Sequence, residues 1–317
     1  MFKAVSSGEL LIDFNSVATD DMGYPTLEGH PGGATINCLS VLAKFGAKCS
    51  FIGKVGDDAF GTLLKGTMKS FGIDISGVIT TPDAFTTLAF VTLDETGDRE
   101  FSFARKPGAD LLLGFDEVDL SKFDGADVYH FGTVSMTENP SRATTRRMVE
   151  YARSKGILIS YDPNLRKSLW GSLDEAKQEM LWGLTQADVV KISDEEIEFL
   201  FDLKPEEGRD YILKNYPNIK LIYATCGADG CFWSNRTNCG YTPVMIGIKV
   251  IDTCGAGDIF GGSAMFRLME KGKDVSALSK EDLEDITRFA TVAAGISTTK
   301  HGGISSIPDY DEVIKAL

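Results

Sequence analysis

The 317-residue chain is poor in cysteine, with six and none in a CxxC pair. Cys38, Cys49, Cys226, Cys231, Cys239 and Cys254 are scattered, which suits buried, inert thiols in a reducing compartment better than a disulfide framework. The spacings of Cys226, Cys231 and Cys239 fit no common zinc pattern, and no histidine stands near them in the sequence. No window approaches the roughly 20 apolar residues of a membrane span, and "MFKAVSSGELLIDF" lacks a signal-peptide core, so a soluble, cytoplasmic protein is expected. Positive charge is also scarce. With 32 basic against 46 acidic residues, a net charge of −14 and no Lys/Arg run, neither nucleic acid nor an anionic membrane is an expected partner. No G-x-x-x-x-G-K-[ST] occurs and no G-x-G-x-x-G follows the first strand, which removes the P-loop and the dinucleotide fingerprint. "NRT" at 235–237 fits a glycosylation sequon, but without a secretory signal it reads as a turn.

What the chain does have is 43% hydrophobic residues in a regular alternation. Short apolar runs such as "CSFIGKVG", "ADVYHFGTV", "GILISYDPN", "ADVVKISD" and "IKLIYATCG" are interleaved with amphipathic helical stretches. That pattern predicts an α/β fold with a mostly parallel sheet buried on both faces and flanked by helices. Two segments break it. Residues 84–107 contain "AFTTLAFVTLDETGDREFSFAR", which reads as a hairpin about "DETGD", and residues 14–31 are turn-rich and can pair beside it. These form a small β lid inserted in a single domain spanning 1–317. Exposed strand edges on such a lid can pair across a homodimer.

Chemistry concentrates in two glycine-rich segments. In "DTCGAGDIFGG", 252–262, the strand-like "IKVID" leads into a tight turn and then an apolar helix. The first amides of a helix have no intrahelical partner and the helix dipole is positive there, so Gly255, Ala256 and Gly257 can surround an anion at close range. Asp258 at the lip of such a site would repel the anion unless it has a task. The alternative is a helix cap and an ordinary turn. Gly261 and Gly262 are expected to let the helix pack closely. In "PGGATINCLSVLAKFGAKCSFIGKVGDDAFG", Gly32 and Gly33 permit backbone approach to a ligand, while Asn37 and the earlier Asp13 offer groups for hydroxyls. Asp57 and Asp58 read as turn and cap residues.

In this order and separation, the two segments resemble the two signatures of the ribokinase-like (PfkB) carbohydrate kinase family. The resemblance runs along the whole chain through "GELLIDF", "DREFSFARKPGAD", "HFGTVSMTENPSR", "YDPNLRKSLW", "YATCGADG", "RFATVAAGIST" and "TKHGGISSIP", and is greatest to the fructokinases. It implies a three-layer ribokinase-like fold and transfer of the γ-phosphoryl group of ATP to a sugar hydroxyl, for fructose the one on C6. Asp258 would be the general base and Gly255, Ala256 and Gly257 the anion hole. The resemblance puts Asp13, Gly32, Gly33, Asn37 and Asn164 on the sugar, Phe103 over it, and Arg105 and Arg166 near the sugar or the phosphate. Thr225, Gly227, Gly230 and Thr291 would meet ATP. The family's N-x-x-E becomes "SDEE", so Ser193 stands where an Asn handles ATP, and Glu196 keeps the acid that meets magnesium through water. Asp252, Thr253, Gly302 and Ser306 match a potassium site.

Rival readings are a 2-keto-3-deoxygluconate kinase, in which Arg105, Lys106 and Arg166 would read a carboxylate, and a sugar-binding regulator without catalysis. A ribokinase is disfavoured by "GGAT", which lacks the Lys after the second Gly. An NAD-linked oxidoreductase is undercut by the missing fingerprint.

Overall fold

The computed structural model describes residues 2–93 and 99–317, so the "DETGD" turn lies outside the described residues. The first half of the chain runs β1 (Lys3–Ser7), β2 (Leu11–Thr19), β3 (Pro25–Gly32), α1 (Ala34–Lys44), β4 (Lys48–Gly56), α2 (Ala59–Ser70), β5 (Asp74–Thr81), β6 (Leu88–Leu93), β7 (Arg99–Ala104), β8 (Val128–Gly132), α3 (Ser141–Ser154) and β9 (Leu158–Asp162). The second half runs α4 (Leu173–Gln186), β10 (Val189–Ser193), α5 (Asp194–Phe201), α6 (Pro205–Asn215), β11 (Leu221–Thr225), β12 (Cys231–Asn235), β13 (Cys239–Thr242), α7 (Ala256–Glu270), α8 (Lys280–Ser297) and α9 (Tyr310–Ala316).

Nine strands form one sheet in the order β13-β12-β11-β10-β9-β8-β1-β4-β5. All its pairings are parallel except those of β12 with β11 and β13. Adjacent residues of one strand serve opposite faces, as the pleat requires. Ala4, Val189 and Leu221 enter a core with Leu39, Ile259 and Phe289 from α1, α7 and α8. Val5, Val190 and Ile222 enter a second core with Met148, Leu184 and Ile212 from α3, α4 and α6. The predicted α/β class, a mostly parallel sheet between two helical layers, is therefore the observed one.

From β1 the chain proceeds outward through β4 and β5, then returns to pair β8 on β1's other side and proceeds through β9, β10 and β11. The reversal leaves a crevice at the carboxyl ends of β1 and β8, where ligands of open α/β sheets bind. Over that end lies a second sheet of order β3-β2-β6-β7. It joins both segments expected to form the lid, through parallel pairing of β2 with β6, in which Asp13 faces Ala89. Ala89 in turn faces Phe103 of β7. Phe14 stacks on Phe90 with ring centroids 5.5 Å apart and meets Phe60 of α2 edge-on at 5.7 Å, which ties this sheet to the body.

Two local expectations are corrected. "IKVID", 248–252, forms no strand, and Val250 and Ile251 are about half exposed. Instead of a ladder, the Ile251 and Asp252 amides donate to the Thr298 carbonyl at the end of α8, at 2.7 and 3.1 Å. Of the thiols, Cys239 is exposed and Cys254 partly so, while the other four are buried. Asp58 caps α2 as expected, accepting from Phe60 and Gly61. Asn235 makes a turn, its side-chain oxygen accepting from the amides of Thr237 and Asn238.

Candidate active site

Helix α7 opens the site. Its N-cap, Gly255, has φ 71° and no side chain to offer the first amides. A Cβ there would stand 2.9 Å from the Gly303 backbone, so glycine is required by both conformation and space. Of the three amides expected to gather an anion, that of Ala256 donates to the Thr253 carbonyl at 3.2 Å. Those of Gly255 and Gly257 have no backbone partner among the described residues.

Asp258, in the first turn, is 7% exposed. Asn37 from α1 donates to its Oδ2 at 2.8 Å, and Asn164, just beyond β9, donates to its Oδ1 at 2.9 Å. Both asparagines, expected on sugar hydroxyls, give one N–H of each side-chain amide to the carboxylate. Their side-chain oxygens are buried and unpaired. Burial, and then the charge of Asp162, push the Asp258 carboxyl up to about 7, against the Asn37 bond and the charges of Lys191 and Arg166. Burial likewise raises Asp13 to about 7, opposed by Arg166.

A cavity of about 160 Å³ beside Asp258 is lined by Asp13, Gly33, Phe103 and Arg166 together with the two asparagines. Gly32 supports it from beneath Asp13, since a Cβ there would run into the Asp13 carboxylate. Gly33 has φ 126°, and a Cβ on it would strike the Glu9 carbonyl. Arg105 does not join them. It is 4% exposed and gives its guanidinium to Asp110, Thr137 and the Val134 carbonyl. A buried arginine with four of its five donors bound to the protein ties the loop after β7 to residues 134–137 and does not line the cavity.

On the other side of the α7 N-terminus lies a mostly apolar groove of about 570 Å³. Thr225, Gly227, Gly230 and Thr291, the residues expected to meet ATP, line it together with Ala256 and Gly257. Ser193 is not among its lining residues. It caps α5, accepting from Glu196 N at 3.2 Å, while Glu196 Oε2 accepts from Ser193 N at 2.9 Å and its Oε1 from Leu165 N at 2.7 Å. Behind the α7 turn, Asp252 accepts from Cys254 N at 2.8 Å and Gly302 N at 2.9 Å. Ser306 donates to the Gly303 carbonyl at 2.8 Å. Asp252, Thr253, Gly302 and Ser306 thus gather at one junction. Among the described residues no group of three or more His, Cys, Asp or Glu side chains is arranged to hold a metal directly.

A polar cavity and an apolar groove therefore meet across one helix N-terminus. The profile described as "pfkB family carbohydrate kinase" matches residues 1–310. The chain belongs to this family. It is 40% identical to Fructokinase-1 of Zea mays over 99% of this chain and 97% of that protein. To Fructokinase-1 of Oryza sativa subsp. japonica it is 39% identical with the same coverage. The crystal structure of fructokinase with bound ATP from Xylella fastidiosa matches with a TM-score of 0.90 at 29% identity, covering 99% of this chain and 97% of the other. A double-mutant fructokinase from Vibrio cholerae O395 in fructose-, ADP- and potassium-bound form matches with a TM-score of 0.88 at 27% identity over 100% and 98%.

Two groups in this pfkB kinase escaped sequence reasoning. Lys191 of β10, its side chain 12% exposed, pairs with Asp162 at 3.1 Å, and its ammonium would stand 3.2 Å from a Cβ on Gly257. The signal was the lysine in "VVKIS", a charge within an otherwise apolar strand. Glu9, 2% exposed, lines the polar cavity. It was hidden in "GELLIDF", where nothing separates a functional acid from a surface one.

Proposed function

We propose that the protein is a fructokinase, which transfers the γ-phosphoryl group of ATP to the 6-hydroxyl of fructose. The carrying observation is the placement of Asp258, a buried carboxylate with a raised pKa, at the N-terminus of α7 between the polar cavity and the apolar groove. The choice of fructose rests on relatives named fructokinase that match over nearly their whole length. In this reading the sugar occupies the cavity with Asp13, Gly33, Asn37, Asn164 and Arg166, under Phe103. ATP lies in the groove along Thr225, Gly227, Gly230 and Thr291, its phosphates directed to the Gly255 and Gly257 amides. Asp258 takes the proton of the attacking hydroxyl, held in position by Asn37 and Asn164. Phosphoryl transfer needs little covalent help, so positioning and charge neutralisation supply most of the acceleration.

Glu196 fits a water-mediated role toward magnesium. Burial and the nearby Asp162 raise its carboxyl against the charge of Lys191 and the Ser193 and Leu165 amides, and magnesium on ATP keeps most of its waters. Bound there, the ion would neutralise charge on the phosphate oxygens. Asp252 and the backbone oxygens around Thr253, Gly302 and Ser306 fit a monovalent cation that braces the α7 turn. With ATP as donor and no cysteine paired, the setting is cytoplasmic; among the described residues no helix is long and apolar enough to cross a membrane. The 2-keto-3-deoxygluconate reading loses support because Arg105 is internal.

A coupled assay of ADP release over fructose, 2-keto-3-deoxygluconate, ribose, tagatose and adenosine, run in potassium and in sodium buffers, tests the reading. Fructose should have the highest kcat/KM, and potassium should raise turnover. Another sugar ahead of fructose would overturn the substrate, and equal rates in the two buffers would remove the cation.

A further inference from the structure

Glu9 lies in the link between β1 and β2, and its Oε1 accepts from the Ala34 amide at 2.6 Å. Ala34 is the first residue of α1, whose N-cap is Gly33. Since glycine has no side-chain oxygen, Glu9 supplies the cap from a distant part of the chain. That accounts for one oxygen only. Oε2 is buried with no hydrogen-bond partner, although Glu9 lines the cavity that also holds Asp13, Asn37, Asn164, Arg166 and Asp258.

A buried carboxylate oxygen without a partner is costly, and capping α1 uses only the other oxygen. The charged groups around Glu9 do not satisfy it. Arg105 attracts it and Asp110 repels it, but Arg105 spends its hydrogen bonds on Asp110, Thr137 and the Val134 carbonyl. Burial is the largest influence on the carboxyl and raises its pKa. The oxygen thus has no hydrogen-bond partner within the protein, and the residue that carries it lines the polar cavity.

We propose that Glu9 is a specificity-determining residue of the sugar site: its Oε2 hydrogen-bonds a hydroxyl of the acceptor sugar other than the one phosphorylated. For the identity of that sugar the inference rests on the fructokinase reading. A site that leaves a buried acceptor unpaired when a hydroxyl is missing rejects the deoxy analogue far more strongly than a site that merely fits its shape. Asp258 reads the reacting end of the sugar, and Glu9 reads a second position.

The test compares kcat/KM for fructose, its 1-, 3- and 4-deoxy derivatives and 2,5-anhydromannitol in the wild type, Glu9→Leu and Glu9→Gln. Glutamine keeps an oxygen for the Ala34 amide, which separates loss of the cap from loss of the sugar contact. In the wild type one analogue should fall about 10–100-fold below fructose, the range for a hydrogen bond to a charged group. In Glu9→Leu fructose should drop to the level of that analogue, and the analogue itself should lose less than about 3-fold. A uniform loss over all sugars, or none, overturns the inference. Should Glu9→Leu fail to fold by circular dichroism, the glutamine variant decides: loss confined to sugars bearing the critical hydroxyl supports the contact, and any other pattern overturns it. Failure of the fructose reading looks different, since the wild type itself would then turn over another sugar better, and that sugar's deoxy series would replace fructose's.

Discussion

Below a pH of about 7 the Asp258 carboxyl, raised by burial and by Asp162, holds its own proton and cannot accept one from a hydroxyl. Asp13 is raised to the same region. Hence kcat/KM for the sugar should fall as pH drops through about 7, with a limiting log slope between 1 and 2, because two carboxylates share the limb. A profile flat from pH 5.5 to 8 would count against Asp258 as base. Asp258→Asn should keep sugar binding and lose about 10²–10⁴-fold in kcat. The same variant carries a stability signature. The folded pKa of about 7 lies above the ordinary 3.8, so ionising Asp258 opposes folding increasingly from pH 4 to 7 and fully above 7. Relative to wild type, Asp258→Asn should gain more in Tm at pH 8 than at pH 5. At this scale the legible residues were those marked by unusual local sequence, such as Asp258 among glycines. Arg105 was misplaced because a guanidinium's partners come from loops far along the chain, here Thr137 and Val134.

In the proposed reaction the working element is the N-terminus of α7, and its glycines are not equivalent. Gly255 has left-handed φ and no room beside the Gly303 backbone. Gly262 packs on α1, where a Cβ would meet the Cys38 carbonyl at 2.6 Å. Gly261, also expected to serve close packing, has nothing within 4 Å of a built Cβ. Gly255→Ala should therefore destabilise by about 1–3 kcal/mol, the cost of a strained backbone position, and lower kcat at least ~10-fold as the amides turn away. Gly261→Ala, a helix-interior change into open space, should be neutral or mildly stabilising. Urea unfolding and steady-state kinetics would separate the two, and a fully active Gly255→Ala would remove the α7 turn from the chemistry. Helices and parallel strands were legible because each carries its own periodicity. "IKVID" misled because a β-rich composition states only a preference, and here the Ile251 and Asp252 amides are taken by the Thr298 carbonyl at the end of α8.

Neither sequence segment of the lid reveals that β2 pairs in parallel with β6, since a parallel pairing is a contact between distant stretches without a local turn signal. That pairing matters to the whole molecule because it sets Asp13 and Phe103 across the cavity from groups on the body. Asp13 comes from β2 and Phe103 from β7. Asn37, Asn164 and Asp258 come from α1, from the loop after β9 and from α7. A sugar bound among them links the lid sheet to both sides of the switch point at β1 and β8. Binding of this kind stabilises the folded state by about 2.7 kcal/mol at 100 times Kd, and the Tm should rise by several degrees. Replacing Asp13 with alanine removes the lid's polar hold on the sugar while leaving the groove of Thr225, Gly227 and Thr291 intact. The fructose-induced Tm shift at a fixed concentration should then nearly vanish, and the shift given by a non-hydrolysable ATP analogue should persist. An undiminished fructose shift in Asp13→Ala would mean that the sugar is held by the body alone, and an equal loss of both shifts would mean that the cavity and the groove are one coupled site.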